Sequence, residues 1–244
     1  MHVKDDRVFG GIEFLAQCIE ACDVFAAEIN LNAPPLAPII FQLPFGQSLQ
    51  DFIPPNRFHR LRRLFLRAFQ LDLLQLQFLK PIALLGLLQQ QFLNEDRPQA
   101  LDLTLWTIAQ QQGKRCIGLE ENQSQEHLLT EMDMDVQLKM LYDMARNISH
   151  FRRHSKKLTA RYEREEIRQL YQSTKKGLHQ QKRQLLYQRN EIMANRIAAI
   201  AKKEYLFAGV GAAHLAGSKG VLRLLKHKGF KLSPISLSSF QSSQ

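Results

Sequence analysis

The 244-residue sequence predicts an α/β protein: a mixed, mostly parallel sheet core carrying large helical insertions. Three observations predict it. Short apolar runs without polar alternation, as strands buried on both faces require, stand at 23–29, 114–119 and 205–210, with a closing run at 230–235. Segments with helical spacing separate these runs, which is the alternation that builds a parallel sheet. Residues 126–203 are almost continuously helix-forming and contain a single glycine, Gly177.

Taken in order, Phe9–Cys22 places Ile12, Leu15, Ala16 and Ile19 on one helical face, and 23–29 follows as a short buried strand. Three prolines in Asn30–Pro38 end it, since proline removes a backbone donor and fixes φ. The Leu-, Phe- and Gln-rich stretch 39–93 reads as amphipathic helices over Arg57–Phe69 and Leu71–Leu79, broken at Pro81. Ala100–Gln112 is a further helix stopped by Gly113, and 114–119 is a strand with Glu120 at its end. Helical insertions therefore occupy about 39–112 and 126–203 of a single domain. After the strand 205–210, Gly211–His214 makes a turn, Gly220–Lys228 a helix stopped by Gly229, and 230–235 an edge strand interrupted by Pro234.

Thirty-three Lys and Arg against 23 Asp and Glu give a formal charge of +10. Residues 151–183 hold eleven of these cations against three Glu. That basic stretch is either a solvated helical face or a contact for an anionic surface. No nucleic-acid motif accompanies it. Cys18, Cys22 and Cys116 lack the second Cys or His pair of a zinc site and read as buried or unreactive thiols. The start is polar, without a signal peptide, and the most apolar window, Pro81–Leu93, is too short to span a bilayer.

In parallel sheets ligands collect beyond the carboxyl ends of the strands. Three positions qualify: Glu28 or Asn30, Glu120 or Glu121, and His214, with His2 a fourth if a strand precedes it. A neutral imidazole at His214 can ligate a metal or act as general base, and converging carboxylates would suit Mn, Co, Fe or Zn. Arg189 heads an apolar stripe with Met193, Ile197 and Ile200; it is either a cap on the core or an anchor for a carboxylate or oxyanion.

These pieces together resemble the TraB/PrgY/GumN family, related to the Tiki metalloproteases and more distantly to the erythromycin-esterase and ChaN-like folds. Met1–Arg7 is similar to the end of its Gly-Thr-Met-His-Val motif, Val24–Leu31 to its strand ending in Glu, and Asp102 through Gly118-Leu119-Glu120 to its central motif. Gln188-Arg189-Asn190 resembles its Arg-Asn motif, and Val210–Gly217 followed by Gly220-Val221-Leu222 its second Gly-x-x-His block. The resemblance implies two facing histidines, His2 and His214, with Glu28 and Glu120 as catalytic partners. His2, His214 and Glu28 would hold a divalent metal, and Arg189 and Asn190 would support substrate or oxyanion. It implies metal-dependent cleavage of peptides or, alternatively, peptide sequestration without cleavage by an N-terminally truncated member. The Gly-Thr half of the first motif and its strand are missing, so a leader and localisation stay open.

Overall fold

The computed structural model describes residues 3–34, 37–92, 95–121, 132–177 and 183–235. The chain divides into two compact units. One, the sheet unit, comprises Met1–Pro34, Glu95–Asn122 and Leu158–Gln244; the other, the helical unit, comprises Pro35–Asn94 and Gln123–Lys157. Only parts of the two expected insertions form the helical unit, because 95–112 and 158–203 pack with the sheet.

The sheet has three strands, β1 (Val24–Ala27), β2 (Arg115–Gly118) and β3 (Leu206–Gly209), in the order β2-β1-β3 and all parallel. It is the small parallel sheet of an α/β fold. β1 is central and buried throughout, which its sequence Val-Phe-Ala-Ala requires. Alternation sends Phe25 and Ala27 to one face, against Ile19 of α1 (Ile12–Glu20) and Leu105, Trp106 and Ala109 of α5 (Leu101–Gln111). Phe25 stacks on Phe207 at 5.5 Å and meets Trp106 edge-on at 5.9 Å. Ala26 faces the other way, towards Met193, Ala194, Ile197 and Ala198 of α9 (Arg189–Ala201) and Val221 and Leu225 of α11 (Val221–His227). Helices thus cover both faces.

The run 230–235 forms no strand. Phe230 and Leu232 pack on the α9/α11 side of the core, but Pro234 withholds a ladder donor and Ile235 is 72% exposed. Gly211–His214, expected as a turn, enters a short helix α10 (Ala212–Leu215) instead. The described part of the long helical run is divided among α6 (Met134–Arg146), α7 (Ile148–Glu163), α8 (Ile167–Gly177), a π-helical turn Arg183–Gln188 and α9, with Glu165 left-handed at φ 56° between α7 and α8.

The helical unit holds a separate core. The apolar faces of α3 (Pro55–Phe69), α4 (Pro81–Gln90) and α6 (Met134–Arg146) meet there through Phe58, Leu61, Phe65, Leu84, Leu88 and Leu141. Pro81 opens α4 at the first helical turn, where a missing N–H costs nothing. Leu71–Leu79 is not the expected helix but a chain of turns. Gln70 is left-handed at φ 58°, and the Asp72 carboxylate, held by Arg62 at 2.7 Å, takes the Leu74 N–H that a helix would need elsewhere. Asp133 caps α6 by accepting from the N–H groups of Asp135 and Val136. Asp133→Ala is expected to cost about 1 kcal/mol of stability, read from the urea midpoint.

Candidate functional site

The register of the sheet assembles the site. β1 and β2 stay paired one step past their ends, with Leu119 N–H donating to Ala27 O and Glu120 N–H to Glu28 O, each at 2.8 Å. Glu28 and Glu120 therefore leave adjacent strands side by side. Gly118 permits this: a Cβ there would lie 2.5 Å from the backbone nitrogen of Asn30. Asn30 turns its side chain back to accept from Asn32 N–H, and both Asn30 and Glu121 are exposed. Of each expected pair, Glu28 and Glu120 are the members that enter the cluster.

Arg189 stands between them. It donates through Nε and Nη2 to both oxygens of Glu120, at 2.6–3.0 Å, and through Nη2 to Glu28 Oε2 at 2.9 Å. The Glu120 side chain is only 2% exposed and Arg189 18%, so this bridge is shielded from solvent screening. Burial works against the Arg189 charge, but Glu120 and Glu28 outweigh it and hold its pKa above the ordinary value. The alternatives left open for Arg189 resolve to a carboxylate anchor. Arg189 is the first residue of α9, directly after the π-helical turn Arg183–Gln188.

The other oxygen of Glu28 accepts the Gly211 N–H at 2.7 Å, tying β1 to the loop after β3. A side chain at Gly211 would crowd that oxygen, since a Cβ would lie 2.7 Å from it. Three residues on, His214 is 8% exposed, and its Nδ1 lies 2.6 Å from Oδ1 of the fully buried Asn190. The Asn190 amide nitrogen donates to the Lys219 carbonyl at 2.7 Å. Since that carbonyl can only accept, Oδ1 must face the ring, and Nδ1 of His214 carries the proton. Nε2 is left with its lone pair.

Burial drives the His214 pKa down to about 4, despite the opposing pull of Glu28. The imidazole is neutral at neutral pH. Burial alone would raise Glu28, but the His214 ring when protonated, the Arg189 charge and the Gly211 N–H together hold it below the usual carboxylate range. Among the described residues the cluster brings together two carboxylates, one guanidinium and a neutral ring.

Three contributors carry no sequence signal: the Gly211 N–H, the Lys219 carbonyl and Tyr171. Tyr171 of α8 packs on Gly217, which sits at φ 92° with no room for a Cβ. Its hydroxyl pairs with Tyr187, and burial with that hydrogen bond pushes its pKa up to about 12. This contact braces the loop from which Lys219 holds Asn190. His2 lies outside the described residues.

Among the described residues no group of three or more His, Cys, Asp or Glu is placed to hold a metal ion. The donor chemistry of His214 and Glu28 nonetheless fits a divalent cation. It offers a ring nitrogen whose partner nitrogen is fixed by hydrogen bonding and a carboxylate with lone pairs to spare. Glu120 fits less well, because Arg189 occupies both of its oxygens. Burial raises the pKa of Cys18, Cys22 and Cys116, which keeps them as thiols outside this chemistry.

Fold and site together define an α/β protein whose strand ends present a Glu–Arg–Glu bridge beside an oriented neutral histidine. The TraB/PrgY/gumN family model matches residues 1–234, and the chain belongs to that family. No curated protein and no solved structure matches it.

Proposed function

We propose that this chain is a hydrolase acting on peptides, with His214 at its chemical centre and a divalent metal ion (Mn, Co, Fe or Zn) as cofactor. The observation that carries the reading is the buried, neutral imidazole held in one tautomer by Asn190 at 2.6 Å, beside Glu28. His214 Nε2 and Glu28 would hold the ion, with His2 completing the set. Such an ion, when bound, supplies an activated water and polarises the scissile carbonyl. The Asn190 hydrogen bond to Nδ1 fixes one ring orientation and leaves the Nε2 lone pair for the ion. Arg189 anchors Glu28 and Glu120 side by side; its Nη1, bonded to neither carboxylate, would be the donor offered to a substrate oxygen.

A second reading rests on the Arg189 bridge. With Glu120 fully engaged and Glu28 shared, the cluster has less free ligand capacity than two carboxylates imply. That favours a protein that binds a peptide without cutting it. The two readings separate in one experiment. Purified chain and His214→Ala are analysed for metal content, then incubated with a peptide library with and without chelator. Hydrolysis predicts bound or activating metal in the unaltered chain, its loss in the variant, and chelator-sensitive products by mass spectrometry. Peptide binding that survives chelator, with no metal in either sample and no products, would sink it in favour of sequestration.

A further inference from the structure

The basic segment singled out by the sequence, 151–183, is partly self-neutralised: Arg161 and Arg164 both pair with Glu166. The helical unit offers a less compensated surface. Its residues hold twelve Lys and Arg against seven Asp and Glu. Five of those cations lie on α3. Phe58, Leu61, Phe65 and Phe69 fill the core from one side of this helix, which turns Arg57, Arg60, Arg63 and Arg67 out to solvent. Their spacing of three, three and four residues makes one stripe, roughly 15 Å long at the helical rise. Arg62, off the stripe, pairs with Asp72; none of the four stripe arginines has an ion pair among the described residues. Exposed guanidiniums in a row match an array of phosphates or carboxylates, which each can engage through two N–H groups.

Exposed apolar side chains of the same unit decide which array. Leu66 emerges within it, 39% exposed. In the same unit, segments 41–43 and 78–80 pair antiparallel, with Leu43 N–H donating to Phe78 O at 2.7 Å and Lys80 N–H to Phe41 O at 2.8 Å. The turn leaving this pair, Pro44–Gln47, closes at 3.0 Å over Gly46 at φ 83° and holds Phe45 wholly in solvent at 108% exposure. Phe78 and Ile39 beside that ladder are 57% and 67% exposed. Such residues gain from an apolar layer beneath charged heads and nothing from a nucleic-acid backbone. No helix of the described residues is long and apolar enough to cross a membrane.

We propose that the helical unit docks on an anionic phospholipid surface, with the arginine stripe of α3 on the headgroups and Phe45 entering the interfacial layer. The test is co-sedimentation of the full chain with phosphatidylcholine vesicles containing 0 or about 30% phosphatidylserine, a range over which surface basic residues are each worth about fivefold in affinity. Binding is expected only with phosphatidylserine and is expected to weaken as salt rises. Arg60→Gln/Arg63→Gln/Arg67→Gln should lose it by about a hundredfold, and Phe45→Ser should weaken it. Lys156→Gln/Lys157→Gln should leave it largely intact. If the triple variant changes the circular-dichroism spectrum, Arg63→Gln alone decides, with about fivefold loss on an unchanged spectrum. Unaltered binding by the arginine variants, equal loss in the lysine variant, or tighter binding to duplex nucleic acid at the same salt overturns the assignment. Unchanged binding by Phe45→Ser overturns the role given to Phe45.

Discussion

Arg189→Ala is expected to lower the stability of the chain by about 3–5 kcal/mol, the cost of leaving a buried carboxylate without its partner. Glu120 is the reason. Its side chain is 2% exposed and both its oxygens rest on Arg189. Removing the guanidinium leaves that charge in a poorly polarisable site beside a second carboxylate, Glu28, which loses the same partner. Glu120 then has to take up a proton or draw in water. A double-mutant cycle isolates the effect. Glu120→Gln in the Arg189→Ala background removes the orphaned charge and should recover more than half of the loss, although Glu120→Gln alone destabilises. Urea midpoints with unchanged slopes give the numbers. An Arg189→Ala midpoint within about 1 kcal/mol of the unaltered chain would show that the bridge is solvated and worth no more than a surface pair.

That bridge also marks how far the sequence could be read. The three strands that form the sheet, and the positions of Glu28, Glu120 and His214 at their ends, were legible because buried parallel strands are written as uninterrupted apolar runs, and strand ends follow from where the runs stop. Arg189 was legible only as a residue on a helical face. Whether its guanidinium caps the core or meets a carboxylate depends on where the strand ends place Glu28 and Glu120, which side-chain periodicity does not encode. The strand expected at 230–235 failed because an apolar run ending at a proline has two outcomes, edge strand or packed coil, and only the neighbouring backbone decides. Leu71–Leu79 failed for a local reason: one Asp72–Arg62 pair outcompetes helical hydrogen bonds that the leucine spacing alone would favour. Backbone contributors such as the Gly211 N–H and the Lys219 carbonyl have no residue-type signature at all.

The second large effect concerns the proton on His214. With its pKa near 4 in the folded chain and about 6.5 when unfolded, the ring is neutral in both states above pH 7. Between pH 6.5 and 4 the unfolded chain takes up a proton that the folded chain refuses, so stability falls as pH falls through this window. The loss approaches about 3 kcal/mol at its lower end. Glu28 acts in the same direction: its folded pKa is depressed, so the stability it contributes above the unfolded carboxylate value is lost as pH falls through the folded one. His214→Gln should flatten the upper part of this profile, from pH 6.5 to 5, while leaving the carboxylate part in place. Asn190→Asp tests the orientation as well as the charge. It keeps an acceptor opposite the Nδ1 proton but makes it anionic, so the His214 pKa should rise towards or above 6.5 and its imidazole resonances should titrate in the neutral range by NMR. It also sets an anion against the Lys219 carbonyl that Asn190 now satisfies, so the variant should be destabilised by about 2 kcal/mol at pH 7. A ring that still titrates near 4 in Asn190→Asp would mean that Asn190 does not hold Nδ1. The ring would then be free to turn, and the argument for chemistry at this histidine would fail with it.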